Sequence, residues 1–249
     1  MGGEGRVPTN QPEPSDPPTR AAEGTRRPLQ ARTSTDAGKR AIDLCIGLPL
    51  AVVSLPVVAI AMLVSATALR ANPFFVHERV GRNGLPLRVV KVRTLPLTTG
   101  RYVDKFAIDA ATVPRATAVL RRLHLDELPQ LWLVVRGSMT LVGPRPEMRV
   151  LHEGFDPRFA ELRCQVRPGL TGLWQISPHC VGLIGQRPEY DRIYIEMRTW
   201  RLDLWITFRT ILKVLGRGTV HLHQVPEWTF SKATTRLAGR AVARTASAS

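Results

Sequence analysis

The sequence predicts a small α/β domain attached to a membrane through an apolar segment near its N-terminus. Three observations lead there. Residues 41–69 are apolar apart from Asp43 and a few hydroxyl groups. Two strand-like segments flank an Asn-Gly pair at Asn83-Gly84. Two later stretches, 115–136 and 188–215, carry apolar residues at helical spacing.

The first element is a leader, 1–38, rich in Pro, Gly, Thr, Arg and Glu and nearly without large apolar side chains. Such a segment buries too little surface to offset the entropy of ordering it, so disorder is expected. The apolar segment, 39–70 with its flanks, exceeds the ~20 residues that cross a bilayer core. Ala66-Thr67-Ala68 has the composition of a signal-peptide cleavage site, but the long leader and the length of the apolar run argue against a secretory signal. Two arrangements remain open. A simple span places Lys39 and Arg40 on one flank and Arg70 on the other, which sets no clear orientation. A re-entrant helical hairpin bends at Pro56, where a backbone donor is missing and the ring clashes with the preceding turn. Ser54 is placed to bond a backbone group freed by such a break. In that arrangement all three cations lie beside anionic headgroups.

The globular part, 71–216, opens with a β-hairpin. Phe74-Phe75-Val76 and Leu87-Arg88-Val89-Val90 are strand-like, and Asn83-Gly84 is a strong turn signal between them. Residues 97–114 are polar and read as a loop or short helix. Residues 115–136 read as a helix with Leu120, Leu123, Leu128, Leu131 and Val135 on one stripe, interrupted by Pro129. Residues 188–215 form one or two amphipathic helices, with an apolar face of Trp200, Leu204, Trp205, Phe208, Ile211 and Leu212 bordered by arginines. That face suits a membrane interface or an ordinary core equally. Residues 217–249 read as a basic, flexible tail.

Composition narrows the function. Hydrophobic residues make up 44% of the 249, enough for a packed core, and 35 Lys+Arg against 20 Asp+Glu leave a net charge of +15. The partner is therefore anionic: nucleic acid, an acidic membrane surface or a phosphorylated substrate. No helix-turn-helix, zinc or aromatic RNA motif is present, so nucleic acid is not expected. The three cysteines, Cys45, Cys164 and Cys180, have neither ligand spacing nor an even count, which argues against a zinc site or a disulfide framework.

Chemistry concentrates at Asp126-Glu127. Adjacent helical side chains diverge by about 100° and cannot face each other as an acid/base dyad. Held by a turn with Pro129 close behind, they can do different work, one attacking phosphorus and the other helping to hold Mg²⁺. Cations surround the pair in sequence. Arg121 and Arg122 precede it. Arg145 stands between two prolines that reduce the entropy it loses on gripping a phosphate. Arg167 sits in a second rigid loop, and Lys91 and Arg93, two apart on a strand, share a face.

The strings KRAIDL, ERVGRNGLPLRVVKVRT, LRRLHLDELPQLWLVVRGSMTLVGPRP and VRPGLTGLWQ, in this order across residues 39–215, resemble the bacterial sugar transferase family, the monotopic phosphoglycosyl transferases. The resemblance implies a re-entrant membrane helix broken at Ser54 and Pro56, a cytoplasmic-face catalytic domain on the bacterial inner membrane, and interfacial amphipathic helices. It implies Asp126 as nucleophile, Glu127 as Mg²⁺ ligand, and Arg121 and Arg145 as phosphate-binding groups. The implied reaction moves a sugar 1-phosphate from a UDP-sugar to polyprenyl (undecaprenyl) phosphate through an aspartyl-phosphosugar, with release of UMP, as the first membrane step of exopolysaccharide or glycoconjugate synthesis. A catalytically weak scaffold for glycan assembly is the alternative, and the intact Asp126, Glu127, Arg121 and Arg145 argue against it. The chain departs from the family pattern at Ser54-Leu55-Pro56, Ala71-Asn72-Pro73, Ile176-Ser177-Pro178-His179-Cys180, and at His124 beside the pair.

Overall fold

The computed structural model describes residues 34–99 and 113–231. Most of the expected leader, most of the polar stretch after the hairpin, and residues 232–249 lie outside these ranges. The first element, α1 (Ser34–Leu69), is a single helix that continues through Pro49 and Pro56. Sequence reasoning expected two short helices meeting at Pro56. One buried stripe, Asp43, Gly47, Ala51, Ser54, Ala61 and Ser65, instead runs along α1 on both sides of that proline. The Ser54 hydroxyl bonds back to the Ala51 carbonyl at 2.9 Å, inside its own turn. Packing on the body thus carries the helix across the missing donor. The stripe is made of small residues, so α1 comes close to the body; a Cβ on Gly47 would stand 3.2 Å from Val134.

Polar anchors fix the N-terminal half of α1. Asp43, 1% exposed, accepts from the Thr140 hydroxyl at 2.7–2.8 Å and from the Leu141 N–H at 2.9 Å. Lys39 pairs with Asp203 at 2.7 Å and bonds the Tyr194 hydroxyl at 3.1 Å. Arg40 donates to the Val134 and Val135 carbonyls at the end of a later helix. Lys39 and Arg40 are therefore internal fastenings, not the free headgroup cations expected from a hairpin. The opposite face of α1 is exposed and apolar, including Val53, Ile60 and Leu63. Arg70, in the left-handed region at φ 47°, ends the helix.

Strands β1 (Phe74–Val80) and β2 (Pro86–Val92) pair antiparallel, with Phe75 opposite Lys91 and Arg79 opposite Leu87. Asn83 (φ 58°) and Gly84 (φ 73°) supply the two left-handed residues expected of the turn, and Leu85 N–H closes it on the Arg82 carbonyl at 3.2 Å. The connection is longer than two residues, because Gly81 adds a further bond to the Leu85 carbonyl.

The expected helix 115–136 is three pieces. They are α2 (Arg115–Arg122), a 3-10 helix (Leu125–Gln130) and α3 (Leu131–Arg136). The break falls at His124, left-handed at φ 56°, rather than at Pro129, which sits inside the 3-10 turn. Strand β3 (Thr140–Val142) follows, then α4 (Arg149–Glu153), α5 (Pro157–Cys164), β4 (Gly169–Thr171) and α6 (Leu173–Ile176). β3 and β4 are parallel. They cross so closely that a Cβ on Gly169 would fall 2.1 Å from the Gly143 nitrogen.

The C-terminal stretch is two helices, α7 (Glu189–Met197) and α8 (Trp200–Val214), parted at Thr199, whose hydroxyl caps α8 by accepting from Leu202 N–H at 3.1 Å. Leu202 and Ile206 of α8 are fully buried, whereas Trp200 (56%) and Phe208 (58%), with Leu204 and Ile211, are exposed. The apolar face read from sequence is thus mostly not the core-facing one. Residues 217–231, expected as tail, pack on the body. Val220 N–H bonds the Ile176 carbonyl at 2.9 Å, and Val220, Leu222, Val225 and Phe230 join the main core. The apolar content of this segment offsets its ordering where the leader's cannot.

Gly169 is the most crowded position in the fold. Gly169→Ala is expected to cost at least about 3 kcal/mol, because the clash is with backbone that no side-chain rotation relieves. Chemical denaturation of detergent-solubilised protein measures it, and a loss below about 1 kcal/mol contradicts the close crossing.

Candidate functional site

Three chain segments meet at Glu127. Its Oε1 lies 2.5 Å from Lys91 Nζ on β2 and 3.4 Å from Arg145 Nη2 on the Pro144-Arg145-Pro146 loop. The 3-10 turn makes this possible. His124 turns the chain after α2, Glu127 N–H bonds the His124 carbonyl at 3.2 Å, and the two carboxylates leave the turn in different directions. Leu125 packs with Ala61, Val92 and Leu120, so the C-terminal half of α1 braces the same turn.

The two acids have opposite electrostatics. Asp126 is 8% exposed. Burial first, and the charge of Glu127 second, raise its pKa from 3.8 to about 6, with Lys91, His124 and Arg121 opposing. Burial also works against Glu127, but Lys91 and then Arg145 outweigh it and hold that carboxyl well below the ordinary range. Glu127 is thus a fixed anion. Asp126, with no hydrogen bond to its side chain among the described residues, is ionised at pH 7 and more basic than an ordinary aspartate.

The Arg145 loop is held from behind. Gly143 N–H bonds the Thr171 carbonyl and Gly169 N–H the Pro144 carbonyl, both at 2.8 Å. Arg163 donates to the Arg145 carbonyl and pairs with Asp191 at 2.9 Å, an ion pair with both side chains at most 5% exposed. Arg79 extends the basic surface. It faces Glu147 at 3.8 Å and lies within the electrostatic reach of Arg145 and Glu127.

Of the residues singled out from sequence, the structure brings Asp126, Glu127, Lys91 and Arg145 together. Arg121 acts on Asp126 through charge alone. Arg93 is engaged elsewhere: its guanidinium bonds the Asn72 and Phe74 carbonyls at 2.9 and 3.2 Å and closes the base of the hairpin. Arg167 lines a separate small cavity with Lys39, Arg82 and Arg198. Ser54 and Pro56 lie on α1. Sequence reasoning missed Arg79, Glu147, Arg163 and the left-handed role of His124. Strand alternation was a usable signal for Arg79, because the pairing places 75, 77 and 79 on the face of 91, 89 and 87. Nothing local announces Arg163.

Among the described residues no group of three or more His, Cys, Asp or Glu could hold a metal. Mg²⁺ commonly takes one or two carboxylates and completes its shell with water and substrate phosphates. Asp126 and Glu127 repel each other, as the raised Asp126 pKa records. The pair therefore fits a divalent cation brought in with a diphosphate.

A family model described as bacterial sugar transferase matches residues 34–217. Exopolysaccharide production protein ExoY of Sinorhizobium fredii is 34% identical over 198 residues, which cover 73% of this chain and 87% of that protein. The UDP-glucose:undecaprenyl-phosphate glucose-1-phosphate transferase of Caulobacter vibrioides is 34% identical over 194 residues, covering 74% and 72% respectively. The UDP-N-acetylgalactosamine-undecaprenyl-phosphate N-acetylgalactosaminephosphotransferase of Aeromonas hydrophila is 32% identical over 188 residues, 71% of this chain and 43% of its own.

Asp126 carries a stability cost with a defined pH dependence. Its raised pKa favours the protonated native state, so the cost is absent below about pH 4, grows through pH 6 and is full above it, reaching about 3 kcal/mol. Asp126→Asn removes the cost. The variant is expected to be more stable than the native protein at pH 8 in chelating buffer, with the advantage gone at pH 4. Denaturant melts at the two pH values measure this, and equal stabilities at pH 8 contradict it.

Proposed function

Because this chain belongs to the bacterial sugar transferase family, we propose that it transfers a sugar 1-phosphate from a UDP-sugar to undecaprenyl phosphate, with Asp126 as the covalent nucleophile. The observation that carries the assignment is the unequal pair: Glu127 locked by two cations, Asp126 buried and more basic beside it. The Caulobacter vibrioides and Aeromonas hydrophila relatives are named for UDP-glucose, UDP-N-acetylgalactosamine and undecaprenyl phosphate, which supports the donor and acceptor classes. ExoY's name supports a place in exopolysaccharide synthesis.

In the first step an Asp126 carboxylate oxygen forms a bond to the sugar-linked phosphorus while the bond from that phosphorus to the bridging oxygen breaks and UMP departs. No proton has to be removed, because Asp126 is already ionised. A pKa near 6 combines ionisation at neutral pH with better nucleophilicity than an unperturbed carboxylate. In the second step a phosphate oxygen of undecaprenyl phosphate attacks the same phosphorus and the aspartyl oxygen leaves, regenerating Asp126. Arg145, Lys91 and Arg79 gather where charge builds on the transferring phosphoryl group, and Arg121 adds longer-range attraction. Glu127 and Asp126 would hold Mg²⁺ brought in with the diphosphate, and the ion would supply charge neutralisation at the phosphoryl oxygens.

The lipid acceptor requires a membrane-bound site. By length and composition α1 is able to cross a bilayer, yet both of its halves are tied to one body, by Lys39–Asp203 near one end and by Ser65 to the Arg93 carbonyl near the other. A helix held this way along one body lies with its outer apolar face in lipid and both ends on one side, without crossing the bilayer. The exposed apolar face of α8 supplies a second, interfacial contact. The body then rests on the cytoplasmic face of the inner membrane.

Two outcomes test this reading. Enzyme mixed with UDP-sugar and quenched before acceptor addition is expected to carry one phosphosugar on Asp126 by mass spectrometry, with neither adduct nor UMP release in Asp126→Asn. Kinetics that require donor and acceptor bound together, with no adduct, reject the covalent step. In a background without the native cysteines, Asp36→Cys and Asn72→Cys are expected to react with an impermeant thiol reagent from the same side of the membrane. Labelling from opposite sides rejects this one-sided arrangement.

A further inference from the structure

A cavity of about 300 Å³ opens beside the site, between α4, α5 and the start of α7. Its walls include Phe155, Phe159 and Ile184, and Val150 stands at its rim, 77% exposed. Its lining also includes Glu147, two residues beyond Arg145. The Glu147 side chain is only 9% exposed, and its nearest cation among the described residues, Arg79, stands at 3.8 Å, outside hydrogen-bond range. Its carboxylate oxygens retain acceptor capacity for a donor that enters the cavity.

We propose that this cavity takes the nucleoside half of the donor, the uridine of a UDP-sugar, with Glu147 accepting from the ribose hydroxyls and Phe155 presenting a flat apolar wall to the base. The inference rests on the UDP-sugar donor proposed above. Three observations select uridine over the other parts of the substrates. First, the sugar hangs directly on the attacked phosphorus and must stay next to Asp126, whereas the cavity lining includes Glu147 but neither Asp126 nor Glu127. Arg79 faces Glu147 at 3.8 Å and interacts electrostatically with Glu127, so one cation is shared by the cavity and the dyad. Second, the exposed apolar faces that suit a polyprenyl chain belong to α1 and α8, while the cavity is walled by α4, α5, α7 and the 3-10 turn Ile184–Gln186. Third, the cavity and the phosphate-binding arginine share one support. The Arg163 guanidinium lies 5.1 Å over the Phe155 ring and 5.7 Å over the Phe159 ring, and the same group donates to the Arg145 carbonyl. Base wall and phosphate clamp are therefore set by a single side chain.

The test is direct binding of UMP to the full-length protein in lipid nanodiscs, by calorimetry, with displacement by UDP-glucose and by UDP-N-acetylgalactosamine. Two variants are compared with native protein. Glu147→Gln removes the acceptor charge. Val150→Trp fills the cavity from an exposed position that folding does not depend on. Both are expected to weaken UMP about tenfold or more and to weaken the two UDP-sugars by the same factor. Absence of UMP binding to native protein, or unchanged UMP affinity in both variants, overturns the proposal. So does unchanged UMP affinity with unequal losses for the two UDP-sugars, which assigns the cavity to the sugar. UMP binding to native protein is read without turnover, so failure of the covalent step leaves this measurement intact, and failure here leaves the aspartyl adduct intact.

Discussion

Glu127 is the point on which the site depends. One carboxylate oxygen receives Lys91 from the β-hairpin and Arg145 from the loop after β3, so three segments remote in sequence are joined by one charge. A partly buried anion with two cations is far more costly to break than to leave out, because removing it strands two positive groups in a site with little water. Asp126 differs from its neighbour for the same reason. The cations are spent on Glu127, and burial then sets the basicity of Asp126.

The scaffold behind this cluster explains its position. α1 is the most apolar element of the chain, yet it is fastened by its polar residues. Asp43 holds the start of β3, Lys39 reaches α8 and Arg40 caps α3. Each satisfies a buried partner that an apolar side chain would leave unpaired. Small residues on the same face bring the helix close enough for those bonds to form. Glycines at 143 and 169 let the backbone at β3 and β4 come into direct contact, and the Gly169 N–H bond to the Pro144 carbonyl holds the Arg145 loop there.

The outer surface follows from the same division of labour. α1 turns polar or small residues inward and large apolar residues outward, the reverse of a water-soluble helix, and α8 exposes Trp200, Leu204, Phe208 and Ile211 while burying Leu202 and Ile206. Exposed apolar faces of this size call for an apolar partner, which the proposed lipid-bound arrangement supplies.

Much of this was legible in the chain itself. The apolar run, the hairpin turn at Asn83-Gly84 and the candidacy of Asp126, Glu127, Lys91 and Arg145, which the structure brings together, follow from local composition, turn chemistry and short strings, because these act over a few residues. What the chain alone left open was decided by long-range packing. Pro56 does not interrupt α1, since the body grips the helix on both sides of it. Residues 115–136 break at His124 rather than at Pro129, since the turn must deliver Glu127 to Lys91 and Arg145. Arg93 is drawn to the base of the hairpin by carbonyls that exist only once β1 and β2 pair. The α8 stripe cannot be assigned to core or surface from periodicity, because hydrophobic spacing is the same for both. Arg163, Asp191 and Glu147 carry no local signature, and their roles arise from partners 18 to 68 residues away.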